Sequence, residues 1–69
     1  METTETNKRV FNTETFFLDY ANNYLTVELI AEHNRITVKD AEILIREGRK
    51  VNNNLPGFKN VQLNANILY

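Results

Sequence analysis

The segment from Arg35 to Lys50, RITVKDAEILIREGRK, places Thr37, Val38, Lys39, Glu42, Ile43 and Arg46 at intervals that share one edge of a helix. Such an edge suits polar readout of a nucleic-acid groove. Lys39 can donate to guanine acceptors or to a phosphate, Glu42 can accept from a cytosine amine, and Val38 can touch a thymine methyl. Thr37, as the residue capping that helix, leaves backbone amides free for a phosphate oxygen at the positive end of the helix dipole. Arg35, Arg46, Arg49 and Lys50, with the distant Lys59, add cations able to clamp a phosphate backbone.

The same residues have a plainer reading. Lys39, Arg46, Arg49 and Lys50 are what an exposed helix carries towards its C-terminus, where cations suit the dipole. Glu42 and Arg46 lie four apart and can pair with each other, for about 0.3 kcal/mol. Asp40, Glu42 and Glu47 would repel phosphates. Leu29 and Ile43 are apolar and lie off the main inward stripes, Ile43 at an outward position of its helix, so together they form a candidate patch for a protein partner.

Catalysis is disfavoured by inventory. His33 is the single histidine and there is no cysteine, so neither a nucleophile and base pair nor a nitrogen-rich metal site can be assembled. His33 reads as a surface residue at a helix end. The carboxylates fall on solvent faces near Lys or Arg, the two glycines are isolated rather than grouped in a phosphate loop, and no catalytic residue, metal or cofactor is assigned.

These groups must be positioned by a small body. With 69 residues, the chain makes one domain that buries only about 60% of its unfolded surface. The absence of cysteine and of a secretory apolar region points to a reducing, cytoplasmic setting, and no apolar run reaches the roughly 18 residues of a membrane span. Net charge is −1. It divides unevenly: Glu2, Glu5, Glu14 and Asp19 outweigh Lys8 and Arg9, whereas residues 26–69 carry one cation in excess.

Residues 1–7 read as a frayed, solvated tail, and residues 8–69 as the single domain. Lys8 to Phe11 can form a short strand, and Asn12 and Thr13 can cap a first helix over about 14–23. Its face is Phe17, Tyr20, Ala21 and Tyr24, an aromatic stripe that reads as core. Thr26 caps a second helix, about 26–34, with Val27, Ile30 and Ala31 inward. Asn34 and Arg35 form the break, asparagine tolerating a left-handed backbone. Thr37 opens a third helix over about 37–51, with Asp40 able to return a bond to the Thr37 amide. The inward row is Ala41, Leu44, Ile45, Gly48 and Val51; Gly48 either ends the helix or lets it pack closely.

Asn52, Asn53 and Asn54 mark the exit. Leu55-Pro56-Gly57-Phe58 predicts a turn with Gly57 at positive φ. Val61, Leu63, Ala65, Ile67 and Tyr69 then alternate with polar or outward residues, which predicts a strand over about 60–69. Its partner is open between residues 8–11, a second copy of the chain and another protein.

The stretch LTVELIAEHNRITVKDAEILIREG, Leu25 to Gly48, resembles the small excisionase-like and MerR-like winged helix-turn-helix proteins. The similarity lies at Leu25, Thr26, Val27, Glu28, Ala31, Glu32, Ile36, Thr37, Leu44, Ile45, Arg46, Glu47 and Gly48, with Leu55-Pro56 and the following strand similar to that family's wing. His33-Asn34-Arg35 departs from the family's apolar residue and turn glycine, and the wing lacks a basic, glycine-rich tip. The resemblance implies a mainly α, three-helix helix-turn-helix domain with a short C-terminal β segment. It further implies sequence-specific binding of duplex DNA by a transcription regulator or recombination directionality factor of phage or mobile-element origin, acting as a homodimer or cooperatively. The competing expectation is a phage-encoded modulator that docks on a host protein through Leu29, Ile43 and the C-terminal strand.

Overall fold

The computed structural model describes residues 8–64, in the order β1 (Lys8–Asn12), α1 (Thr13–Asn23), α2 (Val27–Asn34), α3 (Val38–Asn52) and β2 (Asn60–Asn64). The fold is mainly α, with a two-stranded antiparallel sheet closing one side. The expected tail at 1–7 and the alternation at Ala65, Ile67 and Tyr69 lie outside the described residues.

Each helix starts at a side-chain cap. Asn12 accepts from the Thr15 amide, Thr26 from the Leu29 amide and Thr37 from the Asp40 amide, so one orphan donor of each first turn is satisfied. Asn12 thus caps α1. Thr13, the other candidate, is completely buried instead.

α2 and α3 end alike. Arg35 takes the left-handed conformation at φ 59°, with its amide on the Glu32 carbonyl and the Ile36 amide on Ala31; Asn54 does the same at φ 60°, with its amide on Val51 and that of Leu55 on Lys50. This is the double bond of the Schellman ending. The left-handed residue of the first break is therefore Arg35 rather than Asn34. Asn34 stays helical and its side-chain amide donates to the Ile30 carbonyl. Three residues, Arg35 to Thr37, separate α2 from α3, which gives the helix-turn-helix connectivity.

The core consists of Phe16, Ile30, Ala31, Ala41, Leu44 and Ile45, with Phe11, Phe17, Tyr20, Tyr24, Val27, Ile36, Val61 and Leu63 packed around it. On α1 the face is rotated from the expected one: Phe16 is buried while Ala21 is exposed. The rotation brings Phe16 under the sheet, where its ring meets that of Phe11 edge-on at 5.7 Å. β1 is the partner of β2, with Phe11 opposite Val61 and Arg9 opposite Leu63. Those residues share the inner face, because side chains alternate along a strand. Arg9 lies over the Phe11 ring at 4.8 Å and donates to the Asn34 carbonyl at 2.6 Å, so it serves the interior junction of β1 and α2.

Gly48 sits in mid-helix and permits close packing; α3 continues past it to Asn52. A Cβ at this position would meet the Thr13 carbonyl oxygen at 2.0 Å. The expected positive φ at Gly57 is not adopted; none of the described glycines has one. Gly57 is needed for space, since a Cβ there would lie 2.9 Å from the Lys50 Cβ and 3.2 Å from both the carbonyl and Oε1 of Glu47.

Candidate nucleic-acid interface

The candidate face is the outer side of α3. With about 100° between successive residues, Lys39, Arg46 and Lys50 fall within about 40° of one another, opposite the row formed by Ala41, Leu44, Ile45 and Gly48. That inner row is buried, and Lys39 and Arg46 are exposed. The line of three cations is about 16 Å long at 1.5 Å per residue. Glu42 and Arg49 flank it on one side. Ile43 and Glu47 flank it on the other.

The remaining predicted residues are distributed around this line. Thr37 and Val38 stand at its N-terminal end, both exposed, and Arg35 projects from the tight turn just before. Arg49 reaches back over the Phe17 ring at 5.6 Å, a cation–π contact that fixes α1 against α3 and holds the guanidinium close to the protein. Lys59 is exposed on the connection into β2. Ile43, expected to be outward, is half-buried, and it does not share the groove that contains Leu29.

Glu47 corrects the reading of the carboxylates as solvent-facing. It is 6% exposed. Its Oε1 accepts from the Phe58 amide at 3.1 Å, and Oε2 faces Arg46 Nε at 3.4 Å and Lys50 Nζ at 3.5 Å. Arg46 therefore pairs with its neighbour Glu47 in place of the expected Glu42 partner. The backbone amide of Phe58, followed by the charges of Lys50 and Arg46, holds the Glu47 carboxyl below its ordinary value of 4.5 against the opposing effect of burial. Glu47 does not repel a phosphate from this face as a free charge would. It ties two of the three cations and the following loop to one another.

A depressed pKa of this kind gives stability that is present above the unfolded-state pKa and is lost as pH falls through the folded value. We expect thermal stability to drop below about pH 4.5. Glu47→Gln retains the shape and removes the titration, so its melting temperature, followed by circular dichroism, should lie below that of the wild type at pH 7 and change less between pH 5 and pH 3. An unaltered acid profile would contradict the role given to Glu47.

Thr13 completes the junction. Its hydroxyl donates to the Phe58 carbonyl at 2.6 Å, and its amide donates to the Lys59 carbonyl at 2.8 Å. Neither Thr13 nor Phe58 was legible as part of the site, because both bonds cross more than 40 positions of sequence.

Around the end of α2 lies a shallow groove lined by Asn23, Tyr24, Leu29, Glu32, His33 and Arg35. Here the Tyr24 hydroxyl meets His33 Nδ1, and His33 is an exposed residue near the end of α2. Leu29 is 47% exposed and Leu25, just before α2, is 91% exposed. Among the described residues no group of three His, Cys, Asp or Glu side chains is placed to hold a metal. No described helix is long and apolar enough to cross a membrane.

Comparison with protein-family models, with curated proteins and with solved structures finds no match to this chain.

Proposed function

We propose that the chain is a small cytoplasmic DNA-binding protein that lays α3 in the major groove of a duplex, in the manner of the excisionase-like and MerR-like helix-turn-helix proteins it resembles. The observation that carries this reading is the alignment of Lys39, Arg46 and Lys50 opposite the buried face of α3. In this reading Lys39, with Val38 and Glu42, reads base edges, and Arg35, Arg46, Arg49, Lys50 and Lys59 contact the phosphate backbone. The biological role is that of a transcription regulator or recombination directionality factor of a phage or other mobile element. A single unit offers little interface, so binding as a homodimer or cooperatively on repeated sites goes with it.

Affinity for random-sequence duplex, followed by fluorescence anisotropy across a salt titration, tests this. About four or five neutralised phosphates predict a log–log slope near −4. Undetectable association at low salt would sink the proposal.

A second reading is supported by the exposure of Leu25 and Leu29 beside the Tyr24–His33 groove. In it the chain is a modulator that binds a host protein through this apolar edge. Ile43 is half-buried and does not line that groove. Leu29→Asp should then abolish the complex and leave the helix content unchanged.

A further inference from the structure

We propose that Phe58 is a wedge: it enters a base step of the duplex held by α3, unstacks the step and bends the DNA. The inference rests on the DNA-binding reading of α3 and adds the side chain that would deform the duplex.

The backbone around Phe58 is pinned from both sides by buried groups. Glu47, 6% exposed, accepts its amide, and the fully buried Thr13 donates to its carbonyl and to that of Lys59. Gly57 is pressed so close to Lys50 and Glu47 that a methyl group would not fit without movement. The ring nevertheless is 70% exposed, whereas Phe16 is buried and Phe11 and Phe17 are packed on the core. A chain that spends three residues on fixing the backbone of one aromatic, yet leaves its ring in water, has prepared that ring for a partner. Little conformational freedom is then lost on contact.

The surroundings select the partner. Lys59 is the next residue, Lys50 lies directly beneath Gly57, and Arg46 shares the Glu47 carboxylate with Lys50. An aromatic ring flanked by cations fits a base stack flanked by phosphates. A pocket on another protein would need apolar walls together with acidic rims. Continuity with the roughly 16 Å cationic line of α3 favours a duplex over a single strand. Insertion of an apolar side chain between base pairs partly unstacks them and kinks the helix.

The test uses the full chain, a short duplex carrying 2-aminopurine in place of its adenines, and the variants Phe58→Ala and Phe58→Leu, whose folding is checked by circular dichroism. Wild type should raise 2-aminopurine fluorescence several-fold on binding and shorten the end-to-end distance read by energy transfer. Phe58→Ala should bind about tenfold more weakly with the same salt slope and give neither signal. Phe58→Leu keeps an apolar wedge and should keep part of both. Salt-dependent binding by the wild type without either signal, or signals that persist in Phe58→Ala, overturns the wedge and leaves the DNA-binding reading standing. Absence of any salt-dependent association overturns both.

Discussion

Gly48→Ala should lower the melting temperature by about 10 °C or more, corresponding to a loss of roughly 2 to 4 kcal/mol. Two effects oppose each other here. Alanine is the better helix former by about 1 kcal/mol, so in an exposed helix the change would stabilise. At Gly48 the new Cβ would stand 2.0 Å from the Thr13 carbonyl oxygen, 2.6 Å from its carbon and 2.7 Å from the Phe17 Cβ. Two of those three atoms are backbone, so no side-chain rotation relieves the contact. α1 must be pushed away from α3, and because Thr13 is bonded to Phe58 and Lys59, the shift also pulls on the loop into β2. A domain of this size has only a few kcal/mol to lose. Thermal unfolding by circular dichroism measures the effect, and a melting temperature equal to or above that of the wild type would refute the close approach of α1 and α3.

The second large effect concerns the cations. In the triple variant Lys39→Gln, Arg46→Gln, Lys50→Gln, three charges are removed from one line while the amides at 46 and 50 retain donors for Glu47. The proposed DNA-binding role predicts that the salt slope falls by about two, from the phosphate contacts of Arg46 and Lys50, and that affinity at low salt falls by about a hundredfold once the Lys39 base contact is lost as well. Stability should fall modestly, since Glu47, 8% exposed at the side chain, loses the two charges that face it and keeps the Phe58 amide, so the salt slope and not the melting temperature reports the DNA contact. Parallel anisotropy titrations of the two proteins report the slopes. Equal slopes would remove α3 from the contact.

Much of the fold is written in local signals. The caps at Asn12, Thr26 and Thr37 act within three residues, and the inward row of α3 repeats over several turns, so both can be read along the chain. What resists such reading depends on contacts distant in sequence. Glu47 looks like any helix-surface carboxylate until the chain turns back 11 residues later and brings the Phe58 amide to it. The rotation of α1 from Ala21 to Phe16 follows from packing beneath β1 and β2, whose pairing no local pattern specifies. Gly57 carries the signature of a positive-φ turn, but is required because the loop lies against Lys50 and Glu47.

The candidate site divides in the same way. Lys39, Arg46 and Lys50 are legible as one line from helical periodicity alone. Their coupling through Glu47 to the loop that presents Phe58 is not, since it depends on Thr13 and the exact path of residues 53–59. Ile43 shows the converse: periodicity places it near the outer face, yet it is half-buried. The two functional readings accordingly rest on different residues, Lys39, Arg46 and Lys50 with the loop of Phe58 in one and Leu25 and Leu29 in the other, and share only Arg35.

The difference in residues permits a direct measurement. Isotope-labelled protein titrated with a short duplex at low salt should show amide chemical-shift changes concentrated between Arg35 and Lys50 and at Gly57 to Lys59. Changes confined to Tyr24, Leu25, Leu29 and His33, or a spectrum unaffected by the duplex, would contradict the assignment of α3 as a DNA-binding helix.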